Sequence, residues 1–250
     1  MKKLIVLLLL VSVFFIWLVI HPGHKVRRYD AVVLKSVNSG EDWKQIAKLD
    51  EKESIAQVSV ITITVDLIDP NVIFLGTKGD GVFRTENGGE NWMHTPLSSG
   101  EFYSIVVDPS DDNIVYAAGF LDRGKIFKSR DRGGSWQEIY SETHEESKIL
   151  TLAINKDRPN EIYAGNTEGA VFKSQDGGES WVVEKWMDEK AVKQVIFGLK
   201  DTNKIYVVTE TGLYKSSNGG KDWTNLTKNF ERFKEADRIY GLEGDPYYDD

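Results

Sequence analysis

The chain carries short apolar runs in a repeating order. One stretch has runs at residues 104–109, 114–119 and 125–128, and the next has runs at 149–154, 162–165 and 170–173. A glycine-containing turn separates the second run from the third, and a polar box and a short fourth run follow. Short runs at regular spacing with turn signals are typical of all-β sandwiches, barrels and propellers. A four-strand unit of about 40–45 residues predicts the blade of a β-propeller.

The polar box between the third and fourth runs is the same motif each time. It reads Ser/Thr-x-Asp/Asn-x-Gly-x-x-Trp and occurs five times, with its tryptophans 49, 44, 45 and 42 residues apart. The box holds five of the chain's seven tryptophans, which makes it a true repeat. Its defining positions are Ser36, Asn38, Gly40, Trp43, Thr85, Asn87, Gly89, Trp92, Ser129, Asp131, Gly133, Trp136, Ser174, Asp176, Gly178, Trp181, Ser216, Asn218, Gly220 and Trp223.

The chemistry of the box predicts a structural turn. Glycine supplies a positive φ, and the Asp/Asn and Ser/Thr oxygens accept hydrogen bonds from the backbone N–H groups of the turn. The tryptophan anchors the turn by burying a large apolar surface. The alternative interpretation is functional: the Asp and Asn side chains would bind metal, or the tryptophans would stack on sugars.

These motifs resemble Asp-boxes, also called BNR repeats. Asp-boxes occur in sialidases, in the sortilin luminal domain, in xyloglucan-degrading enzymes and in the photosystem II stability/assembly factor family. The resemblance covers residues 30–228, and the runs and spacing are most similar to the assembly-factor and sortilin-like group. It implies a β-propeller whose ligand face is opposite the Asp-boxes. Such boxes specify a fold much better than a function.

The first and last parts of the repeat are incomplete. The first copy has only residues 31–35 and 43–46 around its box, so its first two strands are missing. Residues 238–246 read like the first strand of another unit. We therefore predict a five-bladed propeller over residues 25–250, with one blade closed by residues 30–48 and 236–248, which protects the sheet edges. The alternative is an open ring, or one completed by oligomerisation.

The N-terminal segment is strongly apolar. Residues 4–20 carry no charge, and about 17 apolar residues is the lower limit for a membrane-spanning helix. A cleaved signal has a shorter apolar stretch and a small-x-small site, which is absent before Lys25. We predict an uncleaved signal anchor, a transmembrane helix at residues 1–24, that holds the propeller outside the cytoplasm, in the periplasm or at the cell surface. A cleaved signal is the alternative.

Composition narrows the function. Thirty-one Lys and Arg against 39 Asp and Glu give a net charge of −8, which argues against nucleic acid as a partner. With no cysteine, the chain has no disulfide, no thiol nucleophile and no Cys-ligated zinc. We predict no metal, no cofactor and no enzyme activity, because no Ser-His-Asp pattern or phosphate loop is visible and Phe83-Arg84 runs into a box instead of a sialidase motif.

The candidate binding residues lie in the turns between the second and third strands of each unit. One interpretation is that these turns are polar only because they contact solvent. The alternative is that they form a mostly acidic rim around the central mouth of the propeller. The loop 141–147 is acidic too, and loop 229–236 is predicted to form a short helix. Trp186 and Met187 are either a surface anchor or packing residues. The six predicted binding residues are Lys78, Asp80, Asp122, Arg123, Glu168 and Glu210.

Two functions fit these features. The first is a non-catalytic, membrane-anchored binding module for a protein or peptide partner, where the resemblance implies a role in assembling a membrane complex. The second is a carbohydrate-binding or glycoside-hydrolysing protein acting on glycans at the same face. A convergent cluster of carboxylates and aromatic rings in the mouth would favour the second function. A wide rim of charged loops without such a cluster would favour the first.

Overall fold

The protein folds almost entirely as β-structure. The computed structural model describes residues 33–49, 54–187, 190–230 and Leu242. Apart from short 3-10 helices at Ile55–Gln57 and Thr227–Phe230, every regular element among these residues is a β-strand. The prediction of an all-β protein is therefore confirmed.

Among the described residues, the strands form one two-stranded unit and four four-stranded units. Unit 1 is an antiparallel pair of β1 (Leu34–Lys35) and β2 (Lys44–Gln45). Blade 2 contains β3 (Val60–Val65), β4 (Ile73–Gly79), β5 (Val82–Thr85) and β6 (Met93–His94). Blade 3 contains β7 (Gly100–Asp108), β8 (Asp111–Phe120), β9 (Gly124–Ser129) and β10 (Gln137–Ser141). Blade 4 contains β11 (Ile149–Ile154), β12 (Ile162–Asn166), β13 (Ala170–Ser174) and β14 (Val182–Trp186), and blade 5 contains β15 (Val192–Phe197), β16 (Ile205–Thr209), β17 (Leu213–Ser216) and β18 (Thr224–Asn225).

Within each blade, consecutive strands pair antiparallel, as four-stranded meanders do. In blades 4 and 5 the strands lie in the sheet in sequence order, β11-β12-β13-β14 and β15-β16-β17-β18. Blades 2 and 3 are also joined edge to edge, because Lys78 pairs with Glu101 and Gly79 with Gly100. The strand order predicted from the repeat therefore agrees with the structure.

The hydrophobic core lies between successive blades. One cluster joins unit 1 to blade 2 and includes Ile46 and Trp92. Equivalent clusters join blade 2 to 3, 3 to 4 and 4 to 5. Each unit therefore depends mainly on its neighbours in sequence, as in other repeat proteins.

The Asp-boxes form closed turns between the third and fourth strands. In the third box, the N–H of Gly133 donates to Ser129 Oγ at 2.7 Å and the N–H of Ser135 donates to Asp131 Oδ1 at 2.7 Å. Gly133 has a φ of +82°, which a side chain would disfavour. The same pair of bonds recurs in the other four boxes. The box oxygens are thus used by their own turn.

A cation just before each of the first four boxes bonds to the box of the next unit. Lys35 Nζ donates to the carbonyl of Gly88 at 2.9 Å, and Lys128 Nζ donates to the carbonyl of Gly177 at 2.7 Å. Arg84 bonds to the next box in the same way, as does Lys173 at 3.1 Å. The boxes therefore stabilise contacts between blades as well as their own turns.

Leu242, near the C-terminus, contacts blade 5 at the place where the predicted closure of the propeller would occur. Leu242 exchanges two hydrogen bonds with the Gln194 side chain, at 2.7 and 3.0 Å. The Leu152 N–H makes the equivalent bond to Ser104 Oγ of the preceding blade at 3.0 Å, so Leu242 lies where a following blade would begin. The rest of residues 236–248 and the predicted anchor at residues 1–24 lie outside the described residues. In the part of the chain that is described, no helix is long and apolar enough to cross a membrane, and five-blade closure stays a prediction.

Candidate functional site

The two faces of the blades differ. The Asp-boxes pack on the turns between first and second strands, since the Gly88 N–H donates to the Asn71 carbonyl and the Gly177 N–H to that of Asn160. The turns between second and third strands, and the connections between blades, lie on the opposite face. All six predicted binding residues are in those turns, so they share one face.

Each first strand begins with a β-bulge on this opposite face. The register of β3, β7, β11 and β15 shifts by one residue near its start. The extra residues, called the bulge residues below, are partly or fully exposed and lie outside the hydrophobic clusters of the described chain. Bulges redirect side chains and are frequent beside functional sites. The bulge residues are Ile61, Tyr103, Leu150 and Lys193.

One bulge residue belongs to a charged and aromatic cluster. Lys148 Nζ donates to Glu101 Oε2 at 2.7 Å and lies 3.0 Å from Tyr103 Oη. The Tyr103 hydroxyl also bonds Glu101, and the Lys148 ammonium lies 4.8 Å from the centre of the Phe120 ring. We call these four residues the Glu101–Lys148 cluster. Because Glu101 and Lys148 start the first strands of blades 3 and 4, the cluster joins two blades at the mouth.

The cluster holds its groups in fixed protonation states. The hydrogen bond from Lys148 lowers the pKa of Glu101, and the same bond raises the pKa of Lys148. Burial and the bond to Glu101 raise the pKa of Tyr103. At neutral pH the cluster therefore carries an ionised carboxylate, an ammonium and a neutral phenol. The opposite charges of Glu101 and Lys148 are therefore paired within the cluster.

Three of the six predicted residues lie next to this cluster. Lys78 pairs with Glu101 across β4 and β7, and Asp80 bridges to Gly100. Glu168 is exposed beside Thr167, whose N–H and Oγ1 both bond the Lys148 backbone at 3.0 Å. Lys78 and Asp80 are exposed as well. The structure thus brings these predicted residues together around a centre that the sequence did not reveal.

The other three predicted residues do not join the cluster. Asp122 lies 2.9 Å from Lys125, which contacts Glu138 of the outermost strand at 3.2 Å. Arg123 faces Glu145 at 3.8 Å, so this network belongs to the outer part of blade 3. Glu210 is exposed in blade 5, where its N–H donates to the Ala191 carbonyl at 3.0 Å.

Three expectations about nearby segments can be compared with the structure. Glu142, assigned to the acidic loop, is buried, and its carboxylate accepts from Asn166 at 2.7 Å and Ser147 at 3.2 Å. Trp186 is exposed whereas Met187 is buried, so one of the pair is a surface residue and the other packs. A 3-10 turn at Thr227–Phe230 overlaps the start of loop 229–236. Residues 231–236 lie outside the described part, so a longer helix there stays a prediction.

The sequence alone did not identify the central residues of the site. Tyr103 and Lys148 are 45 residues apart, and only the blade packing brings them together. The boxes gave no simple signal, because the spacing from each bulge residue to the following box varies from 23 to 26 residues. The bulge residues also mix aliphatic, aromatic and charged types, so their common position is apparent only from the strand register.

The fold and the five boxes define the chain as an Asp-box repeat protein with the propeller fold. The Sortilin-Vps10 family (sortilin, neurotensin receptor 3) matches residues 124–243. A probable oligoxyloglucan-reducing end-specific xyloglucanase of Neosartorya fischeri is 28% identical over 174 residues, which cover 63% of this chain and 19% of the relative. A photosystem II assembly lipoprotein Ycf48 of Synechococcus is 26% identical over 122 residues, covering 48% and 35%. The resemblance to Asp-box proteins of the sortilin-like and assembly-factor group is thereby confirmed.

Solved structures support the same fold. The GH74 xyloglucanase from Xanthomonas campestris superposes with a TM-score of 0.66 at 18% identity, covering 85% of this chain and 36% of that one. YCF48 bound to D1 peptide superposes with a TM-score of 0.51 at 14% identity, covering 86% and 78%. The chain spans only about a fifth to a third of the length of the two curated relatives above. These similarities therefore define the fold and leave the activity to be argued from the site.

Proposed function

We propose that this protein is a non-catalytic docking module that holds an extended peptide segment of a partner protein at the mouth. The observation that carries the proposal is the Glu101–Lys148 cluster beside the bulge residues. Apolar Ile61 and Leu150 offer contacts to side chains, while Lys148 and Lys78 offer donors to backbone carbonyls or carboxylates. A mixed surface of this kind suits a peptide segment.

The charge of the rim favours a basic or amphipathic segment. Asp80, Glu168 and Glu210 are exposed on the mouth face, and the chain as a whole carries a net charge of −8. Such a rim would steer a basic segment towards the mouth, and salt would weaken that steering. In the proposal, residues 1–24 anchor the propeller outside the cytoplasm, and the partner is a membrane complex that the protein helps to assemble or stabilise. A structural neighbour solved with a bound peptide supports this direction.

The experiment is affinity capture from detergent-solubilised source membranes with the full chain as bait. We expect a discrete partner whose recovery falls as NaCl is raised, and loss of that partner with Lys148→Met. Lys125→Met is the matched control, because it removes the same charge from the outer network of blade 3. Equal recovery by both variants, or capture of no partner by the wild-type chain, would contradict the proposal.

A second function, glycan binding or glycoside hydrolysis, is favoured by one observation. Glu101 lies beside the rings of Tyr103 and Phe120, and Asp80 is near it in the sheet. Hydrolases of this kind use two carboxylates about 5–9.5 Å apart. The xyloglucanase relatives also support this candidate. Release of reducing sugar from xyloglucan oligosaccharides, abolished by Glu101→Gln, would support it over the docking module.

A further inference from the structure

The outermost strand of blade 4 differs from the other outer strands. β14 has five residues, while β2, β6 and β18 have two each, so β14 presents a longer unpaired edge. It is the last strand of its sheet, and no strand pairs with its outer edge among the described residues. An exposed edge strand is a template for pairing with another chain unless charges or proline protect it.

β14 carries three exposed apolar side chains along this edge, with Lys185 as its one exposed charge. Val182 is 59% exposed, Val183 is 45% exposed and Trp186 is 56% exposed. Among the described outer strands, the other one with five residues is β10, which carries Gln137, Glu138 and Ser141 at the corresponding places. Its Glu138 also forms an ion pair with Lys125. The same position in the repeat is therefore polar in blade 3 and apolar in blade 4.

A bulge brings two apolar residues of β14, Val183 and Trp186, to one face. Val183 pairs with Phe172 and Trp186 pairs with Ala170, so the register shift places both side chains on the same side of the sheet. Glu184 and Lys185 then lie on the other side, since Lys185 pairs with Val171 and the Glu184 carboxylate approaches Gly220. β14 thus has one face with Val183 and Trp186, and another face with Val182 and one charge of each sign.

This order of residues is complementary to itself. In an antiparallel pair of two β14 strands centred between Glu184 and Lys185, each Val183 faces Trp186 of the other copy. Each Glu184 likewise faces Lys185 of the other copy. A twofold axis makes every contact twice, as in an isologous dimer interface. Aromatic–β-branched and opposite-charge pairs are both favourable across strands.

We infer that β14 is a self-association edge, through which two copies of this chain pair antiparallel. The edge is an outermost strand, whereas the mouth is formed by first strands, so the pairing leaves the mouth open and does not depend on the proposed function. The contact area is small, so the dimer is expected to be weak and to form at micromolar or higher concentration.

Sedimentation velocity of the full chain tests the inference between about 1 and 300 µM. We expect a reversible monomer–dimer equilibrium for the wild type and monomer throughout for Val183→Glu combined with Trp186→Ser. Leu199→Ser is the matched control, because Leu199 is 43% exposed on another blade, and it should leave the equilibrium unchanged. The apolar N-terminal segment is the same in all variants, so association through that segment would not respond to them.

Charge reversal gives a second, sharper readout. Lys185→Glu should raise the dissociation constant of the dimer about tenfold. In the variant, Glu184 of each copy faces a glutamate at position 185 of the other copy, so the repulsion occurs twice. Adding Glu184→Lys restores the opposite charges and should recover most of the affinity. A wild-type chain that stays monomeric to 300 µM would overturn the inference. So would a dimer that is insensitive to the Val183 and Trp186 changes, or a Lys185→Glu defect that the double swap does not repair.

Discussion

Truncation of Trp92 should release unit 1 from blade 2. The Trp92 side chain is 1% exposed, and its indole N–H donates to the Ile46 carbonyl at 3.2 Å. Truncating a buried aromatic residue costs about 3–5 kcal/mol, and losing the hydrogen bond adds about 1 kcal/mol. We therefore expect Trp92→Ala to lower the free energy of unfolding by about 5 kcal/mol. Trp136 is only half-buried and its indole N–H has no partner in the described chain, so Trp136→Ala should cost about 2 kcal/mol.

Urea denaturation followed by far-UV circular dichroism measures both values without relying on tryptophan fluorescence. Trp92→Phe is the matched control, because it keeps much of the buried ring area and loses the hydrogen-bond donor. Its loss of unfolding free energy should fall between the losses for Trp92→Ala and Trp136→Ala. Hydrogen exchange should also show faster exchange of the Ile46 amide in Trp92→Ala, since that amide bonds the Val33 carbonyl within unit 1. Equal costs for the two alanine variants, or unchanged exchange at Ile46, would refute the reasoning.

Three further predictions follow from the box face and the mouth face. Each of Asp131 and Asp176 accepts hydrogen bonds from the serine four residues later, and these bonds lower its pKa to about 2. The two carboxylates therefore contribute fully to the free energy of unfolding above about pH 4, and this contribution is lost as the pH falls through 2. Replacing both with Asn, as in the other three boxes, should make the urea midpoint fall less between pH 4 and pH 2; a steeper fall would contradict this. Lys128→Met should lower the free energy of unfolding, measured with urea, by about 1 kcal/mol, because it removes one hydrogen bond between blades. The loss is small because the Tyr116 hydroxyl still donates to the same Gly177 carbonyl. An unchanged free energy would argue against the inter-blade role. Glu168→Gln with Glu210→Gln should leave the thermal midpoint nearly unchanged, because both are exposed turn tips, and a large drop would mean that they are structural.

The sequence was sufficient for the parts of the fold that depend on local pattern. Box residues such as Ser129 and Gly133 act within one turn, so spacing alone located them. The pair of short strands around the first box was also predicted correctly, because each strand leaves a visible apolar run. Local turns and strand periodicity are the features that a single sequence records best.

The site depended on features that the sequence does not record directly. Tyr103 is redirected by a bulge, and a bulge is a property of the register between two strands. Glu142 sits in an acidic loop, yet the Asn166 side chain from blade 4 offers it a buried partner. Trp186 lies on the surface because its strand is the last in its sheet. In each case a contact between segments far apart in sequence decided the outcome.

Site-specific photo-cross-linking tests the central claim, that a partner docks at the mouth. A photoreactive residue would replace Ile61 in the mouth, or Leu199 in the turn between the first and second strands of blade 5, on the box face. The two positions are similarly exposed, at 37% and 43%, so they differ mainly in which face they report. The account predicts a salt-sensitive cross-link to a protein partner in source membranes from position 61 and none from position 199. A cross-link from position 199 alone would contradict it.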